Sequence, residues 1–115
     1  MKYIIAVIQP DRLDEVMQKL EDKEIHLVTV STVMGRGRQK GISEVYRSHK
    51  EAGSLLRKVK LEIAVNDDFV DRTVECLEEV ARTSAEGHIG DGKIFVVPME
   101  QAIQISDGYR GKGAI

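Results

Sequence analysis

The residues most able to do chemistry in this 115-residue chain are three glycines and a lysine at positions 87–93. The stretch reads Gly-His-Ile-Gly-Asp-Gly-Lys, and the apolar residues 94–97 follow it directly. Glycines allow backbone N–H groups to converge on an anion without interference from Cβ atoms, and the lysine adds a point charge. The spacing approaches that of a P-loop, but Ile94 stands where Ser or Thr would hold Mg²⁺, and a strand follows instead of a helix. The pattern therefore predicts a phosphate cradle without the other parts of a nucleoside triphosphatase.

A second glycine-rich and basic cluster occupies residues 35–41, with the sequence Gly-Arg-Gly-Arg-Gln-Lys-Gly. Like the first cluster, it lies at the edge of a predicted strand. Two such clusters favour one polyanionic ligand that is held from two sides. Each cluster taken alone is also compatible with an ordinary tight turn.

The charges are unevenly distributed along the chain. Residues 36–58 contain seven Lys or Arg against two Glu, a net charge of +5, so the remainder carries −7 to reach the overall −2. A basic segment on an otherwise acidic protein can attract an anionic ligand or partner, although a solvated loop has the same composition. Nucleic acid is disfavoured as that partner, because only 4% of the residues are aromatic and the basic ones do not follow a helix face.

Length and composition are those of one ordinary globular domain, with 42% hydrophobic and 31% charged residues. No apolar run approaches the length of a membrane span, and the first residues do not resemble a signal peptide. The single cysteine, Cys76, excludes an intrachain disulfide and fits a reducing compartment, so we expect a cytoplasmic protein. The three histidines have no metal-ligand spacing.

Hydrophobic periodicity predicts the elements that position the two clusters. Helices are expected after Asp11 and after residues 66–68, each begun by an acidic or amide side-chain cap. A short apolar segment at 102–105 predicts one additional strand near the end of the chain. The main strands are expected at Lys2–Ile8, 26–34, 58–65 and 94–97.

This order predicts an α+β fold with the β-α-β-β-α-β arrangement called ferredoxin-like, plus a short extra C-terminal strand. Right-handed crossovers would place both helices on one face of the antiparallel sheet. In the first strand, Tyr3, Ile5 and Val7 alternate with other apolar residues, so both faces of that strand are apolar. Because helices can cover only one of these faces, we expect another subunit to cover the other.

Three segments with this order and spacing resemble the PII family of nitrogen-regulatory signalling proteins. They are residues 35–46, 58–63 and 87–95, and the resemblance extends over nearly the whole chain as a single domain, 1–115. It implies a cytoplasmic homotrimer of ferredoxin-like subunits that binds ATP or ADP between subunits, with Mg²⁺ accompanying ATP. It also implies 2-oxoglutarate as a further ligand beside Mg-ATP, and a regulator instead of an enzyme.

The resemblance gives a role to three segments. Residues from about 37 to 55 match the T-loop, which engages target proteins, and residues from about 82 to 93 match the B-loop, which contacts phosphates. Residues 104–115 match a C-terminal tail that a neighbouring subunit donates. Tyr46 and Arg47 are the expected partner contacts of the T-loop. The implied targets are an ammonium transporter or an enzyme of nitrogen metabolism, so the protein would dock on a membrane protein without being one.

The resemblance also implies individual site residues. Gln39 and Lys58 match the positions that meet 2-oxoglutarate and Mg-ATP, although without the resemblance Lys58 is equally a solvated strand end. The positions that match the nucleotide cleft are Thr29, Gly37, Arg38, Ala64, Gly90, Asp91, Gly92, Lys93, Gln104 and Ser106.

Departures from the family pattern bear on function. Gln104 and Ser106 stand where relatives carry two arginines that clamp nucleotide phosphates across the subunit boundary. Each lost charge-assisted contact should weaken polyphosphate binding by roughly 1.5–3 kcal/mol, unless Arg110 or Lys112 replaces the missing charge. Glu51 occupies the position that is commonly uridylylated on tyrosine, so we expect no such modification there.

Together these residues favour a non-enzymatic signalling trimer that reads an adenine nucleotide and controls a nitrogen-metabolism target, with 2-oxoglutarate sensing left open. One alternative is a specialised paralogue that senses ADP, AMP or another small anion for a different pathway, because of Gln104 and Ser106. Another is a small nucleotide hydrolase. The sequence disfavours it, since no general base or metal-binding carboxylate pair lies near the glycine clusters.

Overall fold

Four strands and two helices follow one another as β-α-β-β-α-β in the computed structural model, which describes residues 1–37 and 55–115. The sheet has the strand order β2-β3-β1-β4, and every neighbouring pair is antiparallel. The predicted ferredoxin-like α+β class is confirmed. The elements are β1 (Lys2–Ile8), α1 (Leu13–Asp22), β2 (Thr29–Gly35), β3 (Leu56–Val65), α2 (Val70–Ala81) and β4 (Gly92–Pro98).

The core lies between one face of the sheet and the two helices. Alternate residues of β1 and β3 point to this face, as expected for strands, and α1 and α2 pack over it and against each other. Cys76 is buried here, and burial raises the pKa of its thiol. The buried apolar residues are Ile4, Ala6, Ile8, Val59, Leu61, Ile63 and Val65 from the strands, Val16, Leu20, Cys76, Leu77 and Ala81 from the helices, and Ile25 between α1 and β2.

The opposite face of the sheet, which we call the open face, is apolar at its centre. Tyr3, Ile5 and Val7 of β1 are only half-buried there, and Phe95 and Val97 of β4 are 49% and 43% exposed. Ile5 lies directly opposite Phe95 and Tyr3 directly opposite Val97, so these side chains form one continuous patch. The structure confirms that β1 is apolar on both faces and that the helices cover only one. The homotrimer stays a prediction.

The predicted side-chain caps of both helices are wrong. Each helix is preceded by a 3-10 turn, Pro10–Arg12 before α1 and Asp67–Phe69 before α2, and no cap residue makes a side-chain hydrogen bond. Pro10 fixes the φ of the first turn and has no N–H that needs a partner. Asp11 therefore lies inside the turn instead of capping the helix from outside.

The second strand begins three residues later than predicted. Its ladder with β3 starts at Thr29, which lies directly opposite Glu62. Glu24 adopts a positive φ of 65°, and residues 25–28 that follow it join no strand. The apolar and β-branched composition of this segment predicts an extended chain, but an extended chain without a pairing partner is not a strand.

The predicted extra C-terminal strand is also wrong within the described part of the chain. Ile103 and Arg110 form only an isolated bridge. The backbone N–H of Gln104 donates to the carbonyl oxygen of Tyr109 at 2.8 Å, so the two arms of this segment pair with each other. Residues 102–111 therefore fold as a small hairpin beside the sheet, because their hydrogen bonds are satisfied locally.

Candidate functional site

The two glycine-rich clusters lie side by side at one end of the sheet. Ile8, the last residue of β1, is directly opposite Val59 on one side and Gly92 on the other. This register brings the start of β3 and the start of β4 together, and a groove of about 730 Å³ opens between them and the end of β2. None of the described residues that line the groove is acidic. Its basic side chains are Arg36, Lys58, His88 and Lys93.

Three glycines shape the loop that forms one wall of this groove. Gly87, Gly90 and Gly92 have φ values of 79°, 100° and 126°, which other residues adopt only with strain. The requirement is strictest at Gly92, where a Cβ atom would lie 1.9 Å from the carbonyl oxygen of Val7. The loop can enter β4 beside β1 only because this residue has no side chain.

The carbonyl oxygen of Gly90 ties the loop to the sheet. It accepts a hydrogen bond from Nε2 of Gln9 at 2.8 Å and another from Nζ of Lys58 at 3.1 Å. Gln9 directly follows β1 and Lys58 belongs to β3, so both central strands position the loop. The same contact holds the ammonium group of Lys58 beside the loop backbone.

The carboxylate of Asp91 is turned into the loop. Its Oδ1 accepts a hydrogen bond from the hydroxyl of Thr83 at 2.7 Å, and its Oδ2 accepts one from the backbone N–H of His88 at 2.8 Å. Partial burial alone would raise the pKa of Asp91, but these hydrogen bonds outweigh burial and hold the pKa below its ordinary value of 3.8. Asp91 is therefore ionised at neutral pH and folds the loop, and it is not one of the residues that line the groove.

Lys58 is the most buried cation of the groove, with 7% of its surface exposed. This burial lowers the pKa of its ammonium group, while the charges of Asp91 and Asp11 act in the opposite direction. A positive charge that is largely withdrawn from water attracts an anion more strongly than a fully hydrated one. The groove therefore has a buried cation beside glycine backbone and exposed cations at its mouth, which suits a phosphate group.

Of the ten positions matched to the nucleotide cleft, four line the groove of a single chain: Gly37, Gly90, Gly92 and Lys93. The groove is also lined by Lys58, the residue matched to 2-oxoglutarate and Mg-ATP. Asp91 is adjacent but faces the loop.

Thr29 and Ala64 lie elsewhere on the sheet. Thr29 begins β2 opposite Glu62, and Ala64 is two residues further along β3, so both are at the end of the sheet remote from the groove. Gln104 and Ser106 lie in the C-terminal hairpin, where Nε2 of Gln104 donates to the hydroxyl of Ser106 at 3.1 Å. One chain thus does not bring all the matched positions together. Arg38, Gln39, Tyr46, Arg47 and Glu51 are outside the described residues.

The sequence reasoning did not single out Gln9, Thr83, His88 and Phe95, although Thr83 and His88 lie within the segment matched to the B-loop. Gln9 and Thr83 hold the loop through hydrogen bonds, whereas His88 and Phe95 line the groove. A polar residue directly after a buried strand was the available signal for Gln9, as was a histidine between two glycines for His88. No local pattern marks Thr83 or Phe95, because their roles depend on how the chain folds back.

The fold and the groove together define a ferredoxin-like protein with a basic, glycine-walled groove, and comparisons with known proteins place this fold in a family. The family model for nitrogen regulatory protein P-II matches residues 1–109. The nitrogen regulatory protein GlnK1 of Methanosarcina mazei is 47% identical over the whole chain and 97% of its own length. The nitrogen regulatory protein P-II 2 of Methanothermobacter thermautotrophicus is 46% identical over 100% and 97% of the two chains. The nitrogen regulatory protein P-II of Azospirillum brasilense is 44% identical over both full lengths.

This chain therefore belongs to the nitrogen regulatory protein P-II family. The names of these relatives describe regulators. In the part of the chain that the structure describes, no helix is long and apolar enough to cross a membrane, and no group of three or more His, Cys, Asp or Glu is arranged to hold a metal ion.

Proposed function

We propose that this protein is a non-enzymatic signalling protein that binds an adenine nucleotide and regulates proteins of nitrogen metabolism. The observation that carries the proposal is the groove with its four basic side chains and its glycine-rich wall. Phosphates bind where backbone N–H groups and cations converge, and here the glycines at 90 and 92 allow the backbone to approach a phosphate closely. Membership of a family of regulators supports a binding role over hydrolysis.

The nucleotide site is completed by a neighbouring subunit in this proposal. The groove supplies the phosphate side, whereas Thr29 and Ala64 lie at the other end of the sheet, and Gln104 and Ser106 lie on the hairpin. A homotrimer in which the groove of one subunit faces these residues of the next would unite them. The apolar open face supports such an assembly, because it needs cover.

In this proposal the same groove also holds the ligands that accompany the nucleotide. Mg²⁺ would be held by the phosphates of ATP, and Lys58 together with Gln39 would meet 2-oxoglutarate. Lys58 is suited to this role because its ammonium group is largely withdrawn from water, which strengthens a contact with a carboxylate. When bound, Mg²⁺ neutralises phosphate charge, and the residues of this chain position the ligands.

Regulation of targets is assigned to residues 37–55 in this proposal. A ligand would shift the conformational population of this segment by its differential affinity for two states, and Tyr46 and Arg47 would contact an ammonium transporter or a nitrogen-metabolism enzyme. The site of action would be the cytoplasm. Gly35 and Arg36 line the groove directly before this segment, and Gly37 lines it at the start of the segment, which gives a physical link between ligand and target.

A second candidate is a specialised paralogue that responds to ADP, AMP or another small anion in a different pathway. Gln104 and Ser106 favour it, because neither side chain carries the charge that binds a terminal phosphate of ATP. This candidate predicts a small preference for ATP over AMP.

Calorimetric titration of the purified protein with ATP, ADP and AMP, each with and without Mg²⁺ and 2-oxoglutarate, tests the proposal. We expect at least one nucleotide to bind, and Lys93→Ala to weaken it by more than about tenfold, or 1.4 kcal/mol. Lys19→Ala is the matched control, because Lys19 lies on α1 and does not line the groove. Absence of binding by every nucleotide would contradict the proposal, and steady-state ATP turnover would favour a hydrolase.

A further inference from the structure

His88 lies on the loop wall of the groove and is exposed between Gly87 and Gly90. Its Nδ1 is 3.1 Å from the carbonyl oxygen of Gly87. A carbonyl oxygen can only accept a hydrogen bond, so Nδ1 carries the proton in this contact. Nε2 is then the ring nitrogen left for a ligand.

The protonation state of Nε2 decides whether an anion can bind to it. In the neutral ring with its proton on Nδ1, Nε2 is an acceptor whose lone pair repels a phosphate oxygen. In the imidazolium form Nε2 is a charged donor, and its hydrogen bond to phosphate is charge-assisted. A phosphate oxygen at this position therefore favours the protonated ring.

Charged groups surround His88 on several elements. Asp91 accepts its backbone N–H, so one carboxylate lies in the same loop. Helix α2 and the chain just after it contribute Glu78 and Arg82 to a neighbouring cleft of about 680 Å³ that His88 also lines. The other charged side chains that share the groove with His88 are Arg36, Lys58 and Lys93.

An anion changes this balance. Without a ligand, the other charged side chains that share the groove with the ring are three cations. A bound phosphate supplies two or more negative charges in the same space, and it reverses the sign of the local field. The ring then gains a proton from solvent as the phosphate enters.

We propose that His88 is a phosphate ligand of the groove and that nucleotide binding is coupled to proton uptake by its imidazole. This inference rests on the proposed function, because it takes the phosphate groups of an adenine nucleotide as the anion. It predicts tighter binding at mildly acidic than at mildly alkaline pH. The amount of nucleotide bound would thus depend on pH as well as on nucleotide concentration.

Titration calorimetry with ATP at about pH 6 and about pH 8, on either side of the range in which histidine ordinarily titrates, tests the coupling. Repeating each titration in buffers of different ionisation enthalpy counts the protons taken up. We expect the ratio of affinities between the two pH values to be roughly fivefold larger for the natural protein than for His88→Gln. His88→Lys, with a fixed charge, should bind well at both pH values without the additional proton uptake.

A further variant serves as a control. His26→Gln removes an exposed histidine that is paired with Glu21, outside the groove. It should keep the pH ratio of the natural protein, and thermal unfolding should show that every variant folds. If His88→Gln keeps the natural ratio and proton count, the inference is wrong while the proposed function stands. If no adenine nucleotide binds at either pH, the proposed function fails, and this inference fails with it.

Discussion

At the scale of the residue, Lys58 is a charged side chain whose burial lowers the stability of the fold. Burying an ammonium group costs free energy, and the hydrogen bond to the carbonyl oxygen of Gly90 offsets part of that cost. The lowered pKa of Lys58 has the same cause, since the folded protein binds its proton less tightly than the unfolded chain does. The net effect of this environment on the charged form of Lys58 is therefore unfavourable.

We predict that Lys58→Met leaves the free energy of unfolding unchanged or raises it by about 1 kcal/mol, because an apolar side chain of similar length removes the burial cost. Nucleotide affinity should fall more than about tenfold. Because the folded-state pKa is lowered, the penalty in the natural protein is present at neutral pH and is relieved as pH rises toward the ordinary value of 10.5. The stability difference between the two proteins should therefore shrink in alkali.

Urea unfolding at equal protein concentration and calorimetric titration measure these two effects. Lys60→Met is the matched control on the same strand and the same face, where Nζ lies 3.7 Å from Oε1 of Glu62 and is more exposed. It should change stability little and leave phosphate binding largely intact. A loss of stability in Lys58→Met together with full affinity would show that Lys58 is structural only.

The charge of Asp91 stabilises the fold, whereas the buried charge of Lys58 destabilises it. Its pKa is lowered by hydrogen bonds from Thr83 and His88, so the ionised carboxylate stabilises the loop. That contribution is fully present above the ordinary pKa of 3.8 and is lost as pH falls through the lowered value. We predict that Asp91→Ala costs about 1 kcal/mol at neutral pH, with a difference that vanishes in acid.

Hydrogen exchange localises this effect to the loop. The amide of His88, which donates to Asp91, should exchange faster in Asp91→Ala. Asp107→Ala is the control, because Asp107 accepts the amide of Tyr109 in the hairpin at 2.9 Å and should affect exchange only there. Unchanged protection of His88 would mean that Asp91 does not hold the loop.

At the scale of the element, the sequence predicts the fold well because the periodicity of its strands and helices is clear. The residues at 59–65 alternate between buried and partly exposed positions, as their sequence predicts, whereas β1 is apolar on both faces. The two helices are predicted, but their side-chain caps are predicted wrongly, because each helix begins with a 3-10 turn that local composition does not distinguish from a cap. The tail hairpin was predicted as a strand, since apolar residues at 102–105 do not reveal which partner satisfies their backbone.

The groove was predicted only in outline. The two glycine clusters indicate a phosphate site because each combines exposed glycine backbone with basic side chains. Gln9 and Thr83 could not be found, because they are brought to the loop by antiparallel pairing and by the return of the chain after α2. Positions such as Thr29 and Ala64 could be assigned only by resemblance, since nothing in their local sequence points to a ligand.

Gly92 joins the groove to the sheet, and we predict that Gly92→Ala destabilises the fold by at least about 2 kcal/mol. The added Cβ would lie 1.9 Å from the carbonyl oxygen of Val7, so β1 and β4 must separate there. Gly111→Ala is the matched control, because Gly111 has a similar φ of 103° but no atom within 4 Å of an added Cβ. It should show only the backbone cost, about 1 kcal/mol. Equal loss of stability in both variants, measured by urea unfolding, would remove the close-approach argument.

At the scale of the whole molecule, the open face is the surface that we expect another subunit to cover. Its apolar patch is continuous across β1 and β4, which is unusual for a surface that stays in water. The one hydroxyl at its centre is already paired, because Tyr3 donates to the carboxylate of Glu62. This hydrogen bond is the largest cause of the raised pKa of Tyr3, followed by partial burial. A paired hydroxyl adds little cost when the face is covered by another subunit.

We therefore predict a homotrimer at micromolar concentration, with a mass three times the 12.9 kDa of one chain by light scattering. Val97→Glu should dissociate it, because a charge placed in a buried apolar interface without a partner is strongly unfavourable. Val96→Glu is a closely matched control, since Val96 is the same residue type on the same strand with 45% exposure against 43%, but it faces the helix side. A monomeric natural protein, or equal masses for the two variants, would show that the open face is not the interface. If the trimer dissociates as expected, nucleotide affinity should fall with it, because Thr29 and Ala64 can reach the groove only from a neighbouring subunit.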